Sequence, residues 1–216
     1  MSMFSICREI VAQGGLDESL KSQCDAEASF TSEIGVLDRH FFQCIQQDHV
    51  IWAITEWTTE KAHNDAAESI MKVRRDDRVA SAYFRPGLYF ELFGKPVEAA
   101  CREWAAGDAG LVVVCHGLVA DRAFDGWGER VMARLDALGS PEGLLRLDTY
   151  WNYDSKREFV AFMRWRDETA YVAARDAHDH TPEERVFVEP GDRSDLASFC
   201  QFECRPLIFE EAATDA

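Results

Sequence analysis

Gly35 opens the stretch VLDRHFFQCIQQDHVIWAITEW (residues 36–57), and Gly143, 108 residues later, opens LLRLDTYWNYDSKREFVAFMRW (residues 144–165). Each stretch is a strand-length run, a polar turn and a second run that closes on a tryptophan, Trp57 or Trp165. The turns are Gln46-Gln47-Asp48 and Asp154-Ser155-Lys156. Two such runs around a short polar turn read as an antiparallel hairpin. The same shift carries outward in both directions. Upstream it sets Ile6-Cys7 on Val114-Cys115 and Ile10-Val11-Ala12 on Leu118-Val119-Ala120. Downstream it sets Glu60, Ala62 and Ala66 on Glu168, Ala170 and Ala174. One offset through strand-like, turn-like and helix-like blocks predicts a tandem duplication of a module of about 100 residues.

Each half predicts the same elements. A first strand (Phe4 to Ala12 in the first half) precedes a helix, with the stripe Leu16, Leu20 and Cys24 in one copy and Phe124, Trp127, Val131, Leu135 and Leu138 in the other. The hairpin follows, then a helix on Ala62, Ala66, Ile70 and Val73 or on Ala170, Ala174 and Ala177, then a last strand at Leu88 to Phe93 or Phe199 to Leu207. The order β-α-β-β-α-β is the ferredoxin-like split unit, an α+β fold with helices on one face of an antiparallel sheet. Phe41, Trp52, Ile54 and Phe90 suggest that the other face is apolar, and such a face must be covered. The second copy is the expected cover, so two repeats are predicted to pack sheet to sheet. The domain boundaries expected are 1–95 for the first repeat, 96–110 for the connection and 111–210 for the second repeat. The halves meet again at Arg85-Pro86 and Arg205-Pro206, now 120 residues apart, which places an insertion near 176–195.

Composition narrows the partners. Lys and Arg number 23 against 39 Asp and Glu in 216 residues, a formal charge of −16. That charge repels phosphate backbones and anionic headgroups, which excludes nucleic acid and membrane surfaces as expected partners. No apolar run is long enough to span a bilayer. The N-terminal residues carry no signal-like pattern, and a cytoplasmic location is expected. Five of the seven cysteines (Cys7, Cys44, Cys115, Cys200 and Cys204) sit in apolar, strand-like segments and read as reduced, buried thiols. Cys200 and Cys204 would stand about 13 Å apart along a strand, too far for a disulfide or one metal.

Several residues carry candidate chemistry, each with a plainer reading beside it. Trp57 and Trp165 occupy the strand-to-helix corner, where an indole either lines a pocket and donates its N–H to a bound oxygen or wedges the core. His63, six residues beyond Trp57, is either a general base at a pocket mouth or a solvated histidine on an exposed helix edge that supports little packing. Its counterpart is Tyr171, so the halves are not chemically equivalent. Arg85 and Arg205 either clamp an anion or form ion pairs. His116, after the run Leu111 to Cys115, reads as a satisfied core or interface histidine ahead of a ligand. His178 and His180 form the one His-x-His, in an acidic insertion that reads as a solvated loop ahead of a metal site. Glycine-rich phosphate loops, H-E-x-x-H and G-x-S-x-G are absent, which removes the usual signatures of nucleotide chemistry, zinc proteolysis and serine hydrolysis.

The Gly before a strand, the polar hairpin turn, the strand ending in Glu56-Trp57 and the alanine-rich helix after it resemble the antibiotic-biosynthesis monooxygenase family of the dimeric α+β barrel superfamily. In that family two chains pair sheet to sheet, and the resemblance implies that here one chain builds an intrachain barrel. Where family members commonly carry a helix histidine, this chain has Asp65 and Ala173. The resemblance implies a cofactor-independent monooxygenase that oxidises an aromatic or polyketide-like substrate with dioxygen. On this reading His63 and Trp57 are catalytic, Tyr83, Arg85, Trp52 and His40 contact the substrate, and no metal or cofactor is needed. The partner is a small apolar or aromatic molecule, with a homo-oligomer left open. A non-catalytic barrel that binds a ligand or serves assembly is the alternative, and a heme-degrading enzyme is a third. One working pocket is expected in the first half, with the rings Tyr150, Trp151 and Tyr153 filling the second half's cavity.

Overall fold

A computed structural model of the chain describes residues 3–10, 35–66, 89–137, 141–153, 155, 157–178 and 196–207. Nine strands run in chain order: β1 (Met3–Ile10), β2 (Val36–Cys44), β3 (Val50–Trp57), β4 (Tyr89–Pro96), β5 (Arg102–Glu103), β6 (Leu111–Val119), β7 (Leu144–Asn152), β8 (Glu158–Trp165) and β9 (Leu196–Leu207). Helix α1 begins at 60 and is described through 66. Helices α2 (Trp127–Ala137) and α3 (Glu168–His178) follow. The expected helix on Leu16, Leu20 and Cys24 lies outside the described residues, as do Ile70 and Val73 of the expected helix after Trp57. The expected insertion near 176–195 lies outside them beyond the end of α3. The chain divides into two compact units, Met1–Glu91 with Pro206–Ala216, and Leu92–Arg205.

In the first unit the strand order is β4-β1-β3-β2, and in the second β9-β6-β8-β7 with β5 at the end. Both are the ferredoxin-like order, so the α+β class read from the sequence is the fold of each unit. The 108-residue shift is also visible in the backbone. Met3 faces Trp57 across β1 and β3, as Leu111 faces Trp165 across β6 and β8. A bulge falls between Val36 and Asp38 in one hairpin and between Leu144 and Arg146 in the other. Each hairpin turn is closed by the first residue of the returning strand, Val50 N–H donating to the Gln47 carbonyl and Glu158 N–H to that of Ser155. The segment expected to connect the copies is structured: within the second unit, which begins at Leu92, Gly94–Pro96 at the end of β4 and both residues of β5 pair with β7.

The cores follow from alternation along the strands. In the second unit β8 buries both faces, with Phe159, Val160, Ala161, Phe162, Met163 and Trp165 at 1% exposure or less. Helix α3 lays Ala170, Tyr171 and Ala174 against the sheet, and α2 lays down Trp127, Val131 and Met132. Ala177, expected on the apolar stripe of α3, is exposed. The six described cysteines are all thiols. Burial pushes the Cys115 thiol up, strongly disfavouring its thiolate.

The docking of each second helix depends on one glycine. Gly35 and Gly143 have φ of 92° and 89°, a region L side chains rarely adopt. Their carbonyls accept from Thr58 N–H and Arg166 N–H, both at 2.8 Å, just before the helix starts. A Cβ at Gly143 would stand 2.5 Å from the Ala170 Cβ, and one at Gly35 2.6 Å from the Ala62 Cβ. Gly143→Ala therefore combines left-handed strain with a core clash and is expected to cost more than about 2 kcal/mol in a urea unfolding titration.

The helices also share a cap. Thr59 Oγ1 accepts from Ala62 N–H, and Asp167 Oδ1 from Ala170 N–H. The Ala170 amide, then the Arg166 guanidinium, hold the Asp167 carboxyl below the usual carboxylate range. A depressed carboxylate stabilises the fold above its unfolded value, about 3.9, and that contribution is lost as pH falls through the lower folded value. Asp167→Asn keeps a capping oxygen and does not titrate. Urea titrations over that acid window should show the wild-type protein losing more stability than the variant.

Candidate functional site

The strand-to-helix corner of the first unit brings two of the expected site residues together. Trp57, at the end of β3, is 5% exposed and donates its indole N–H to Ser5 Oγ at 2.9 Å, with Ser5 on β1 also buried. Its ring meets His63 of α1 edge-on, centroids 5.1 Å apart and planes at 88°. The expectation of an exposed His63 is overturned, because its side chain is only 7% exposed. The reason lies in helix geometry: Thr59 caps α1 one turn earlier, and the first turn lies back over Trp57. His63 Nδ1 stands 3.2 Å from Asn64 Oδ1. An N–H at Nδ1 donating to that oxygen leaves the lone pair of the neutral imidazole on Nε2, the tautomer a general base needs.

The matching corner of the second unit has the same frame and a different filling. Tyr171 packs against Trp165 with centroids 5.5 Å apart. Val113 stands where Ser5 stands and Val172 where Asn64 stands. Burial raises the Tyr171 phenol, and its oxygen accepts from Gln201 Nε2 at 2.7 Å. An aromatic ring against the strand's tryptophan is thus a packing feature of both corners. The imidazole and the serine hydroxyl that takes the indole N–H belong to the first corner, where the second has a phenol and a valine.

The other expected residues stand elsewhere. Trp52 is fully buried on β3, and its position, odd-numbered steps from Trp57, puts it on the opposite face of the sheet. The Arg8 guanidinium lies over it, 5.7 Å from the ring centroid. His40 on β2 shares Trp52's face, half-exposed, with Nε2 2.9 Å from Asp38 Oδ2 and its ring stacked on Phe42. The structure therefore does not gather Trp52 and His40 with Trp57 and His63. Tyr83, Arg85 and His180 lie outside the described residues. Arg205, on β9, is exposed.

Sequence reading missed two polar clusters in the second unit. His116 is satisfied, as expected: its Nε2 stands 2.8 Å from Glu158 Oε1, and Glu158 Oε2 accepts from Asn152 Nδ2 at 2.5 Å. Asp148, 5% exposed, is held by Arg146 Nε at 2.8 Å and faces Arg164 Nε at 3.6 Å. A carboxylate buried so deeply persists only when paired. The signal existed in the even spacing of Arg146, Asp148, Tyr150 and Asn152 along one strand, which puts all four on one face.

Beside Asn152 opens a pocket of about 400 Å3, lined by Lys95, Pro96, Phe124, Trp151, Asn152 and Tyr153. The expectation that ring volume fills the second half's cavity is corrected here. Tyr150 and Phe162 are buried together on one face, whereas Trp151 and Tyr153 line an open site. Alternation sends neighbouring residues of β7 to opposite faces, so the aromatic cluster cannot fill a single cavity. Among the described residues no group of three His, Cys, Asp or Glu is placed to hold a metal ion. No described helix is long and apolar enough to cross a membrane.

Comparison with known proteins shows what the fold is. No family model matches the chain, and no curated protein does. Solved structures do. An anthrone oxidase-like protein matches with a TM-score of 0.71 at 11% identity, covering 96% of this chain and 92% of its own. A ferredoxin-fold protein related to antibiotic biosynthesis monooxygenases, from Listeria monocytogenes, matches with a TM-score of 0.56 at 11% identity over 97% of each chain. A heme-degrading enzyme from the same species matches with a TM-score of 0.51 at 10% identity, covering 95% of this chain and 99% of its own. At such identities the likeness shows the fold alone, an α+β fold of ferredoxin-like units.

The Ser5–Trp57 bond yields a prediction within the first unit. Ser5→Ala removes the acceptor of a buried indole N–H, and Ser5→Val supplies the side chain that the second unit uses. Ser5→Ala should cost about 1–3 kcal/mol in chemical denaturation, with Ser5→Val recovering part of that through packing.

Proposed function

We propose that the protein is a small-molecule monooxygenase that oxidises a flat, electron-rich aromatic substrate with dioxygen and no bound cofactor. The observation that carries this reading is the polar corner Ser5–Trp57–His63–Asn64, built where the second unit has Val113, Trp165, Tyr171 and Val172. An imidazole buried against the Trp57 ring and oriented through Nδ1 is a base placed where a carbanion or phenolate can persist away from bulk water. His63 Nε2 takes a proton from an activated CH2 of the substrate, and the carbanion passes its electrons to dioxygen. Loss of water from the resulting hydroperoxide leaves a carbonyl, so CH2 and O2 become C=O and H2O. The names of structural neighbours, an anthrone oxidase-like protein and a relative of antibiotic biosynthesis monooxygenases, support this choice of chemistry. On this reading Tyr83 and Arg85 orient the substrate, and the chain is a duplicated module whose first copy kept the chemistry.

One observation favours a second reading, that of a barrel that binds a ligand without turning it over. The Trp57 N–H, which the catalytic reading would aim at oxygen, is already given to Ser5. Oxygen uptake separates the two. With an anthrone as substrate, the purified protein should consume dioxygen faster than a protein-free control and without added flavin, nicotinamide or metal. His63→Gln, which keeps the volume of this buried side chain, should lower that rate on the order of 10²-fold, the usual worth of a positioned base. Uptake no faster than the control, or equal in wild type and variant, removes the catalytic assignment and leaves the binding reading.

A further inference from the structure

We propose that the pocket beside the end of β7 is a binding site for a flat aromatic anion, an aryl carboxylate in chemical class, separate from the Trp57–His63 corner. Its walls are ring faces. Phe124 and Trp151 stand 5.2 Å apart at the centroids, tilted by 53°. Trp151 is backed by Trp127 at 5.0 Å, and Trp127 by Phe159 at 4.6 Å, both 1% exposed or less. A ring fixed from behind in this way is organised before the ligand arrives, and little ordering cost remains to be met on binding. Two-ring aromatic molecules suit a pocket of about 400 Å3.

The charge at the mouth selects the anion. Lys95 is exposed, and its ammonium lies 4.0 Å from the centroid of the Tyr153 ring. Among the described residues no carboxylate is paired with it, in a chain with 39 acidic residues against 23 basic ones. A cation on an aromatic face keeps most of its charge for a third group, and a carboxylate arriving at the rim gains a charge-assisted hydrogen bond while its ring lies on Trp151. Asn152, which also lines the pocket, donates its side-chain amide to Glu158. Both Glu158 oxygens are engaged, one by Asn152 and one by His116, so the carboxylate is occupied within the sheet. The strand pairing of Lys95 with Trp151 holds the cation and the ring wall at one register, independent of any loop.

Titration of the full chain with 2-naphthoate and its neutral isostere 2-naphthamide tests the site, read by calorimetry and by tryptophan fluorescence. The carboxylate should bind saturably and about tenfold more tightly than the amide, a preference equal to one charge-assisted contact. Lys95→Met should remove that preference by weakening naphthoate alone. Trp151→Phe should abolish most of the fluorescence response while leaving the naphthoate preference in place. Absence of saturable binding of naphthoate below about 1 mM overturns the proposal. Equal affinity for the two compounds, or equal weakening of both by Lys95→Met, overturns it as well. These are binding measurements, so their outcome is independent of whether His63 supports oxygen consumption.

Discussion

Each unit depends on the close approach of a glycine backbone to the helix that follows the hairpin. At Gly35 and Gly143 the chain turns through positive φ, passes its carbonyl to the N–H that precedes the helix, and leaves no room for a side chain against Ala62 or Ala170. From that contact the helix start, its cap at Thr59 or Asp167, and the ring packed on Trp57 or Trp165 all follow. A single hydrogen bond of this kind adds only about 1 kcal/mol. Its weight lies in geometry, because the apolar face of the helix meets the sheet at one distance and one angle.

On this shared frame the two units carry different fillings. The first places hydroxyl, indole, imidazole and carboxamide at the corner, and the second places valine, indole, phenol and valine there. The second unit also pairs polar groups on the opposite face, where Asp148 is held by Arg146 and faces Arg164, and Glu158 by His116 and Asn152. A buried polar group is tolerated only with partners; those of Glu158 come from the two adjacent strands, and those of Asp148 from its own strand and the next. The two units thus keep one backbone frame while the side chains set on it differ.

Much of the fold was legible in the chain. The offset between Gly35 and Gly143 gave the hairpins, the strand order and the corner tryptophans, because strand alternation and helix stripes are local patterns that repeat visibly. The exposure of His63 was not legible. From spacing alone it stands beside an apolar stripe, and only the position of Trp57 beneath the first turn of the helix shows it to be covered. The separation of Trp52 and His40 from Trp57 was readable in principle from parity along β3, since neighbouring residues of a strand point to opposite faces.

The sequence by itself determined the order of the strands, the glycines that admit the helices, and an excess of acidic over basic side chains. These are consequences of local conformational preference and of composition, which need no knowledge of what touches what. Only the tertiary structure decided which side chains meet. Lys95 and Trp151 lie 56 residues apart and become neighbours through a strand pairing, and His116, Glu158 and Asn152 are joined from three strands. Long-range pairing brings distant residues together by register, and register is set by the whole sheet, so the candidate pocket had no signature in any single stretch of the chain.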